Sequence, residues 1–330
     1  MSPDEDSRRL LRAASLATPM ALRVAVTLGL PDRLRAHGTV EAVAAEMGLS
    51  SRALEILLGH LVTLGVVERA DGGYLTTSYG ENLCADKENG VANLLDLNRA
   101  AGRAELAFVE LEHSIRTGEA AYARRYGQEF WADLAENPVL RDSFDRQMTS
   151  RFRAEIPRVV GGVEWARFGS LVDVGGGRGE LLAAILEANP NMRATLIDLA
   201  ETAEQARETF AGCGLSERVE VLGRSFFDPL PGGADAYVLV DILHNWDDGH
   251  ARRILARCVE AAKPESRVLV IEAVGGIHAE TEMDLVMLAH FGGRERRVDE
   301  LCEVASSVGL TLEYAGALTD QRGLLEFRVA

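Results

Sequence analysis

The chain has 330 residues, of which 47% are hydrophobic, and its formal net charge at pH 7 is -16. This length exceeds the roughly 250 to 300 residues at which single cores stop growing, so we expect two domains. The acidic balance, with an isoelectric point near 5.0, repels phosphate backbones and argues against a nucleic-acid partner. Cys84, Cys213, Cys258 and Cys302 lack C-x-x-C spacing, so neither a zinc site nor a disulfide framework is predicted.

The amino terminus argues against export. Its sequence, M-S-P-D-E-D-S-R-R, is too acidic for a signal peptide, and no run reaches the roughly 18 apolar residues that a membrane helix needs. Scattered cysteines of this kind are typical of reduced, packed thiols. We therefore expect a cytoplasmic protein with no membrane partner.

The first part of the chain is predicted to be mainly helical. Apolar residues recur at helical spacing over Ala13 to Leu34, with a break at Gly29-Leu30-Pro31, and again over 40–48 and 51–64. Two short strands around the turn Asp71-Gly72-Gly73 follow these helices, which is the pattern of a winged helix. The helix in the recognition position carries only Arg52 and His60 as basic residues. We therefore predict a domain for dimerisation and substrate capping in preference to DNA binding.

The rest of the chain changes from helices to an alternation of strands and helices. Further helices are predicted over about 105–158, and strands are predicted at 171–174, 194–197, 219–222, 236–239 and 268–271. Such alternation predicts an α/β domain with a parallel sheet covered by helices on both faces. We place the boundary within 155–168, which gives a helical domain at 1–155 and an α/β domain at 156–330.

The first of these strands runs into a glycine-rich turn, V-D-V-G-G-G-R-G, from Val172 to Gly179. Glycines at such a turn permit positive φ and let a ligand approach the backbone, while the following helix offers unpaired amides. The spacing is G-x-G-x-G, because Glu180 occupies the position of the third glycine in a dinucleotide fingerprint. Gly175 and Gly177 are therefore candidates for binding a nucleoside cofactor other than NAD.

Two acidic residues accompany this turn. Asp198 ends the second strand, where a carboxylate can accept both hydroxyls of an adenosine ribose. NAD enzymes also use an acid there, so Asp198 does not identify the cofactor. Asp173 lies just ahead of the glycines, where a carboxylate can lie near a cationic amino-acid moiety, which S-adenosylmethionine has and NAD lacks. The alternative for Asp173 is a carboxylate that caps the local backbone.

The downstream segments resemble the plant-type small-molecule O-methyltransferases and their bacterial natural-product relatives. The resemblance covers nearly the whole chain and runs through L-V-D-V-G-G-G-R-G, S-F-F-D-P-L-P, I-L-H-N-W-D-D, V-L-V-I-E-A-V and M-D-L-V-M-L-A-H-F-G-G-R-E-R. Within that family, F-V-E-L-E-H-S-I-R-T-G and R-Y-G-Q-E-F-W are similar to the naphthoic-acid O-methyltransferases of enediyne antibiotic pathways of the neocarzinostatin type. The resemblance implies a Rossmann-like methyltransferase domain behind a winged-helix dimerisation domain. It also implies a homodimer that converts S-adenosylmethionine to S-adenosylhomocysteine.

The resemblance further implies a catalytic trio. In that family the histidine of L-H-x-W is the general base, which falls on His244, and the two glutamates that orient it fall on Glu272 and Glu295. An imidazole flanked by carboxylates is held in one orientation, and its cation is stabilised as it forms. We therefore expect methylation of a phenolic hydroxyl on an aromatic secondary metabolite of the hydroxynaphthoic-acid type.

The chain departs from the family beside the cofactor. Where many relatives have an acid in G-D-F-F, this chain has Ser225 before Phe226, and Val240 stands where a polar residue is common. Ser225 is expected to make a weaker hydrogen bond to the adenine. Cofactor affinity is then expected to depend more on the two acids and on stacking by Phe226 and Trp246, although Trp246 also fits a plain core position.

The acceptor pocket is expected between the domains, where this family builds it. Its expected lining is flat and apolar: Phe144, Met148, Met287, His290 and Phe291. Arg12 is the candidate cation for a substrate carboxylate, reaching across a dimer. The alternative for Arg12 is a solvated surface arginine.

Three other functions stay open at this point. Some members of the fold perform other chemistry on the same cofactor, such as C-methylation aided by iron on paired histidines, and His244 with His290 is the candidate pair. The presence of both Glu272 and Glu295 favours the general base, so no metal is expected. The winged helix also fits a ligand-sensing transcription regulator, which the acidic charge disfavours. The last alternative is a non-catalytic scaffold.

Overall fold

A computed structural model describes residues 3–277 and 281–329. The chain forms two compact units, the smaller built from Met1–Arg103 with Val139–Gln147 and the larger from Ala104–Pro138 with Met148–Ala330. Each unit has buried apolar clusters of its own. Each can therefore be described as a separate folded body.

The smaller unit is mainly helical. Its elements are α1 (Pro3–Ala13), α2 (Ala17–Thr27), α3 (Leu30–Arg33), α4 (Val40–Met47), α5 (Ser51–Thr63), β1 (Val67–Ala70), β2 (Gly73–Thr76), α6 (Val91–Leu95) and the start of α7 (Ala100–Glu105). The side chains of Thr39 and Ser50 cap α4 and α5 by accepting backbone N–H groups of the first turn. Gly29, with φ 63°, separates α2 from α3, which confirms the predicted break.

The two strands of the smaller unit form the predicted hairpin. Asp71 and Gly72, with φ of 39° and 77°, connect the antiparallel strands β1 and β2 by a two-residue turn of the kind that requires positive φ. Leu54, Leu58 and Leu61 of α5 lie buried in the same apolar cluster as Val67 and Tyr74 of the hairpin. Helices followed by a packed hairpin confirm the winged-helix prediction.

One stretch of the smaller unit has a length and an apolar composition closer to those of a membrane-spanning helix than the sequence analysis predicts. Asp4–Thr27 is long and apolar enough by length and composition to cross a membrane, with a mean hydropathy of 1.2 and 11% of that window buried. The helix is interrupted at residues 14–16, and Leu10, Leu11 and Leu16 are exposed. Exposed apolar helices of this kind also form protein interfaces, so the stretch is weak evidence for a membrane.

The larger unit contains the α/β sheet. After α7 the elements are α8 (Leu111–Thr117), α9 (Ala121–Tyr126), α10 (Phe130–Glu136), α11 (Pro138–Arg153), α12 (Ile156–Gly162), β3 (Ser170–Val174), α13 (Glu180–Ala188), β4 (Arg193–Asp198), α14 (Ala200–Gly212), β5 (Val219–Gly223), β6 (Ala236–Val240), α15 (Asp248–Ala261), β7 (Arg267–Glu272), α16 (Thr281–Phe291), α17 (Val298–Ser306), β8 (Leu310–Ala317) and β9 (Gly323–Val329). Helix α11 contributes residues to each unit. All five predicted strands are present, as β3 to β7.

The sheet has the order β5-β4-β3-β6-β7-β9-β8. The five predicted strands are parallel, but β9 is antiparallel to both β7 and β8, so the sheet is mixed and the expectation of a purely parallel sheet was incomplete. Alternate residues of β3 enter different apolar clusters, with Val172 in one and Leu171 in the other, as expected for a sheet covered on both faces. The strand order reverses between β3 and β6, and ligands bind at such a switch point, outside the carboxyl ends of the strands.

Candidate active site

The glycine-rich turn lies at this switch point, directly after β3. Gly175 and Gly177 have φ of 76° and 59°, a region that favours glycine. A Cβ on Gly175 would come within 2.5 Å of Ile242 Cδ1, and one on Gly176 within 2.5 Å of Asp173 Oδ2, so the turn is packed tightly from beneath. A Cβ on Gly177 would meet no described atom within 4 Å. The turn is therefore open at Gly177, where a ligand can approach the backbone.

Asp173 and Asp198 lie together at the base of this turn. Asp173 is buried, and this burial, together with the charge of Asp198, raises the pKa of Asp173 to about 7. Asp198 accepts hydrogen bonds from the backbone N–H groups of Gly177 at 2.9 Å and of Leu199 at 2.7 Å. A cationic ligand would offset both causes of the raised Asp173 pKa. The residues present thus fit the ammonium-bearing end of S-adenosylmethionine.

The aromatic residues predicted beside the cofactor also meet near this turn. The Phe226 ring lies 3.5 Å from the position of a Cβ on Gly175 and packs edge-on against Trp246, with ring centroids 6.1 Å apart. Ser225 Oγ accepts the backbone N–H of Phe227 at 3.2 Å. Ser225 thus stabilises the turn that presents Phe226, in addition to the expected role at the adenine.

The histidine predicted as the base lies on a short 3-10 turn, Leu243–Asn245, just after β6. His244 is 6% exposed, and burial lowers its pKa to about 4, against the charge of Asp241, which raises it; Arg151 and Arg322 lower it further. Nδ1 of His244 has no hydrogen-bond partner in the described part of the chain. At neutral pH the imidazole is therefore unprotonated, as a general base must be.

Glu272 contacts His244 through the main chain. Its Oε2 accepts the backbone N–H groups of Leu243 at 3.0 Å and His244 at 3.3 Å. Burial raises its pKa to about 8, so the carboxyl group is neutral at pH 7. The resemblance implies a glutamate that orients the imidazole ring; in this structure the hydrogen bonds of Glu272 instead hold the backbone turn that carries the ring.

The segment that carries Glu295 lies against the same turn. Gly293 packs so closely on the carbonyl oxygen of His244 that a Cβ there would collide with it. Glu295 is half-buried, and its backbone N–H donates to Asp284 Oδ1 at 3.0 Å. The third predicted catalytic residue therefore lies in a loop that is packed on the first, and its action on the imidazole stays a prediction.

Arg296 is a functional candidate that the sequence did not reveal. The side chain is fully buried and donates to the carbonyl oxygens of Leu243 at 2.9 Å and Trp246 at 2.7 Å, and to Asp248 Oδ1 at 2.9 Å. These bonds join both ends of the turn around His244. The position of Arg296 beside the predicted Glu295 was the signal that could have identified it.

The acceptor residues predicted on α16 join an aromatic stack. Phe291 lies nearly parallel to Trp131, with ring centroids 5.4 Å apart, and Trp131 is stacked on Trp246 at 5.9 Å. His290 is buried and packs edge-on against Phe108 at 5.5 Å. Trp131 of α10 thus connects the predicted cofactor and acceptor residues.

The other acceptor residues are less closely defined. Met287 is buried on α16, and Met148 is half-buried on α11. Phe144, half-buried, and Arg12, exposed at the end of α1, belong to the smaller unit and stay predictions. Within residues 3–277 and 281–329, no group of three or more His, Cys, Asp or Glu residues has the arrangement to hold a metal ion.

The larger unit has an open α/β sheet with a glycine turn at its switch point, acids at two strand ends and a buried neutral histidine. These features define a class of enzyme that binds an adenosyl cofactor and transfers a group to an acceptor. Comparison with known families specifies the class: a model of the O-methyltransferase domain matches residues 108–311, and a model of the O-methyltransferase dimerisation domain matches residues 11–86. The chain belongs to the O-methyltransferase family, and its cofactor is S-adenosylmethionine, which confirms the resemblance.

Individual relatives include O-methyltransferases and one hydroxylase. The chain is 48% identical to the 2,7-dihydroxy-5-methyl-1-naphthoate 7-O-methyltransferase of Streptomyces carzinostaticus, over 92% of this chain and 93% of that protein. It is 41% identical to the aclacinomycin 10-hydroxylase of Streptomyces purpurascens, over 94% and 86%. The crystal structure of an O-methyltransferase from neocarzinostatin biosynthesis, bound to S-adenosyl-L-homocysteine and 1,4-dihydroxy-2-naphthoic acid, superposes with a TM-score of 0.92 at 45% identity, over 97% and 98% of the two chains.

Proposed function

We propose that this enzyme methylates a phenolic hydroxyl of a hydroxynaphthoic-acid-type metabolite in natural-product biosynthesis, with His244 as the general base. The observation that carries the proposal is a buried, unprotonated His244 on a turn whose Trp246 belongs to the aromatic stack with Trp131 and Phe291. Flat aromatic walls suit a fused aromatic ring, and the relative from Streptomyces carzinostaticus acts on a naphthoate.

The residues around the glycine turn are proposed to hold the methyl donor. Asp173 and Asp198 would accept hydrogen bonds from its amino-acid and ribose groups, and Gly175 and Gly177 would let it approach the backbone. Ser225, Phe226 and Trp246 would surround the adenine. When bound, S-adenosylmethionine supplies an electrophilic methyl group on a sulfonium sulfur.

The acceptor hydroxyl must lose its proton as its oxygen attacks. A phenol titrates near 10 and His244 near 4, so complete deprotonation beforehand would cost roughly 8 kcal/mol. Proton removal therefore accompanies attack: the O–H bond breaks toward His244, the oxygen forms its bond to the methyl carbon, and the C–S bond breaks with its electron pair left on sulfur. The chain's main contribution is then to place the oxygen and the imidazole correctly.

Met148, Met287, His290 and Phe291 of the larger unit are proposed to line the acceptor site. Phe144 stays a prediction from the sequence. Arg12 is the proposed partner of the substrate carboxylate across a homodimer, which the dimerisation-domain match supports. We also propose a cytoplasmic location.

A panel of hydroxynaphthoic and hydroxybenzoic acids tests the proposal, with S-adenosylhomocysteine formation and product mass as readouts. We expect the highest kcat/KM for a hydroxynaphthoic acid and a product heavier by one methylene group. A product heavier by one oxygen atom would point to hydroxylation, the activity named for the relative from Streptomyces purpurascens. No S-adenosylhomocysteine with any phenolic acceptor would refute methyl transfer to phenols.

The role of Arg12 has its own test. Arg12→Ala is measured against a hydroxynaphthoate and against its methyl ester, which lacks the carboxylate. We expect the KM for the acid to rise and the KM for the ester to stay constant. Equal losses on both acceptors would exclude pairing between Arg12 and the substrate carboxylate.

A further inference from the structure

An ion pair between a buried arginine and a half-buried aspartate, not anticipated from the sequence, lies beside the proposed base. Asp241 directly follows β6, and Arg322 directly precedes β9. Arg322 donates from Nε to the two carboxylate oxygens of Asp241 at 3.0 and 3.1 Å, and from its second terminal nitrogen to Oδ2 at 2.5 Å. This two-pronged geometry fixes the direction of the carboxylate as well as its charge.

Arg322 is held on several sides. It is 2% exposed, its guanidinium lies over the Phe152 ring at 4.6 Å, and its other terminal nitrogen is 3.8 Å from the buried Glu155. Its backbone N–H donates to Thr319 Oγ1 at 3.1 Å. A guanidinium restrained in this way is a rigid partner for Asp241.

Asp241 is itself part of the turn that carries His244. Its φ of 51° is uncommon for a residue other than glycine and is maintained only where the surroundings fix it. Its backbone N–H donates to Ile271 at 2.9 Å, and its carbonyl oxygen accepts Asn245 Nδ2 at 2.8 Å. The strained residue thus closes the turn that extends from Asp241 to Asn245.

The sheet brings the carboxyl groups of Asp241 and Glu272 to the same end of neighbouring strands. Strands β6, β7 and β9 are neighbours, and Gly323 of β9 pairs with Glu272 at the end of β7. Asp241, Glu272 and Arg322 therefore lie at the same end of three adjacent strands. Two carboxyl groups and one guanidinium therefore lie at the end of the sheet from which the turn of His244 begins.

These two carboxyl groups differ in charge. Glu272 is neutral at pH 7, because burial raises its pKa to about 8. Burial also acts to raise the pKa of Asp241, but the charge and hydrogen bonds of Arg322 outweigh it, so this pKa is lowered. Asp241 is therefore an anion beside His244 at neutral pH.

A buried imidazole that accepts a proton needs an anion nearby, since an unpaired buried cation is costly. Glu295, the second carboxylate that the resemblance assigns to the imidazole, is half-buried on the loop packed against this turn. The other charged and titratable groups that act on His244 or contact the backbone of its turn come from five elements: Asp241 on its own turn, Glu272 of β7, Arg322 ahead of β9, Arg151 of α11 and Arg296 ahead of α17. Three of these are cations, and the neutral Glu272 does not offset them. Asp241 is the group among these five whose charge favours the imidazolium.

We propose that Asp241, fixed by Arg322, is a positioning residue whose carboxylate stabilises protonated His244 as the proton leaves the acceptor hydroxyl. This proposal rests on the proposed function of His244. The proton passes from the acceptor oxygen to the imidazole, and Asp241 exchanges no proton. Its effect on the reaction is electrostatic.

Asp241→Asn is the direct test, because it keeps the shape of the side chain and removes its charge. We expect kcat to fall about 10- to 100-fold, with the KM values of donor and acceptor changed less than about twofold. The acid limb of the kcat profile should move to lower pH, because the protonated imidazole loses its anion. Carbon-13 NMR of the His244 ring in the S-adenosylhomocysteine complex should show the same displacement without turnover.

Two further variants distinguish the effect of the Asp241 charge on His244 from a general loss of stability. Asp235, at the other end of β6, accepts the backbone N–H groups of Gly169 and Ser170 and pairs with Lys263, so Asp235→Asn should lower Tm and leave the His244 titration unchanged. The double variant Asp241→Asn with Arg322→Gln leaves neither member of the pair as an unpaired charge. It should fold, and it should still show reduced kcat and a lowered His244 pKa, because the effect of Asp241 exceeds that of Arg322.

The proposal is overturned if Asp241→Asn lowers Tm while kcat and the His244 titration match the wild type. The ion pair would then be purely structural. A failure of the underlying function gives a different result, in which His244→Asn itself retains turnover. The two failures are therefore distinguishable.

Discussion

The carboxyl group of Glu272 accepts the backbone N–H of His244 at 3.3 Å and that of Leu243 at 3.0 Å. The contact joins the end of β7 to the turn after β6, so it fixes the position of the backbone that carries the imidazole. Because the pKa of Glu272 is raised to about 8, the group that accepts these bonds is a neutral acid. An uncharged side chain that accepts the same two hydrogen bonds should therefore be able to replace Glu272.

Glu272→Gln should retain most activity, because the amide oxygen can accept both backbone N–H groups. We expect kcat within about tenfold of the wild type. Glu272→Ala leaves two buried donors without an acceptor, at a cost of about 1 to 3 kcal/mol each, and should lower both Tm and kcat. Thermal denaturation and steady-state kinetics measure the difference, and equal losses in both variants would require an ionised Glu272.

The pH dependence of stability gives an independent check on Glu272. Its pKa is raised on folding, so the stability contributed by the neutral form is fully present below the ordinary value of 4.5 and is lost as pH rises through about 8. The advantage of Glu272→Gln over the wild type in Tm should therefore grow between pH 5 and pH 9. An unchanging difference across that range would contradict a raised pKa.

Asp173 should make cofactor affinity depend on pH. The pKa of Asp173 is raised to about 7 by burial and Asp198, and a cationic ligand binds the ionised form. The Kd for S-adenosylhomocysteine should therefore be about tenfold weaker at pH 6 than at pH 8. Calorimetry in two buffers of different ionisation enthalpy should detect proton release on binding at pH 6.

Matched variants test this assignment. Asp173→Asn should bind S-adenosylhomocysteine more weakly at both pH values and lose the difference between them. The exposed Asp228 serves as the control, since Asp228→Asn should preserve both. Without ligand, Asp173→Asn should be more stable than the wild type at pH 8, by as much as about 4 kcal/mol, because the ionised Asp173 is costly there.

The parallel part of the sheet follows closely from the sequence. Strands β3, β4, β6 and β7 are short apolar runs with buried residues, and β5 is a short half-exposed run at the sheet edge. Acids or glycines lie at or beside the ends of these strands, so Asp173, Asp198 and Glu272 could be placed near strand ends in advance. The β8–β9 hairpin was not predicted. Most residues of β8 are exposed or half-buried, so its apolar pattern is weak.

The supporting residues of the site were harder to predict than the residues they support. Arg296 bonds to carbonyl groups about fifty positions away, and Arg322 to a carboxylate 81 positions away. A sequence offers no local pattern for such contacts, and a lone arginine ordinarily indicates a solvated surface. Burial, which follows from the tertiary fold, is what distinguishes these two arginines from the exposed Arg294.

Arg296 should be essential for the turn that carries His244. Lysine keeps the charge but cannot reproduce three donors in a planar fork, so Arg296→Lys leaves carbonyl groups of the turn unpaired. We expect a loss of about 3 kcal/mol in the free energy of unfolding and a clear drop in kcat. Arg294 also pairs with Asp248 but is exposed, so Arg294→Lys should change stability by less than about 1 kcal/mol. Comparable losses in the two variants would refute a special role for Arg296.

His244 itself gives the sharpest kinetic prediction. His244→Ala should lower kcat by about 10²- to 10⁴-fold, the range for removing a general base, and leave the Kd for S-adenosylhomocysteine within about twofold. The exposed His37 of the smaller unit is the matched control, and His37→Gln should keep normal turnover. Because burial lowers the pKa of His244 to about 4, the imidazole stays unprotonated at pH 6, where an exposed histidine would be mostly charged. At saturating donor, kcat of the wild type at pH 6 should therefore be close to its value at pH 8, and an acid limb near 6.5 would show that the base is a solvated group elsewhere.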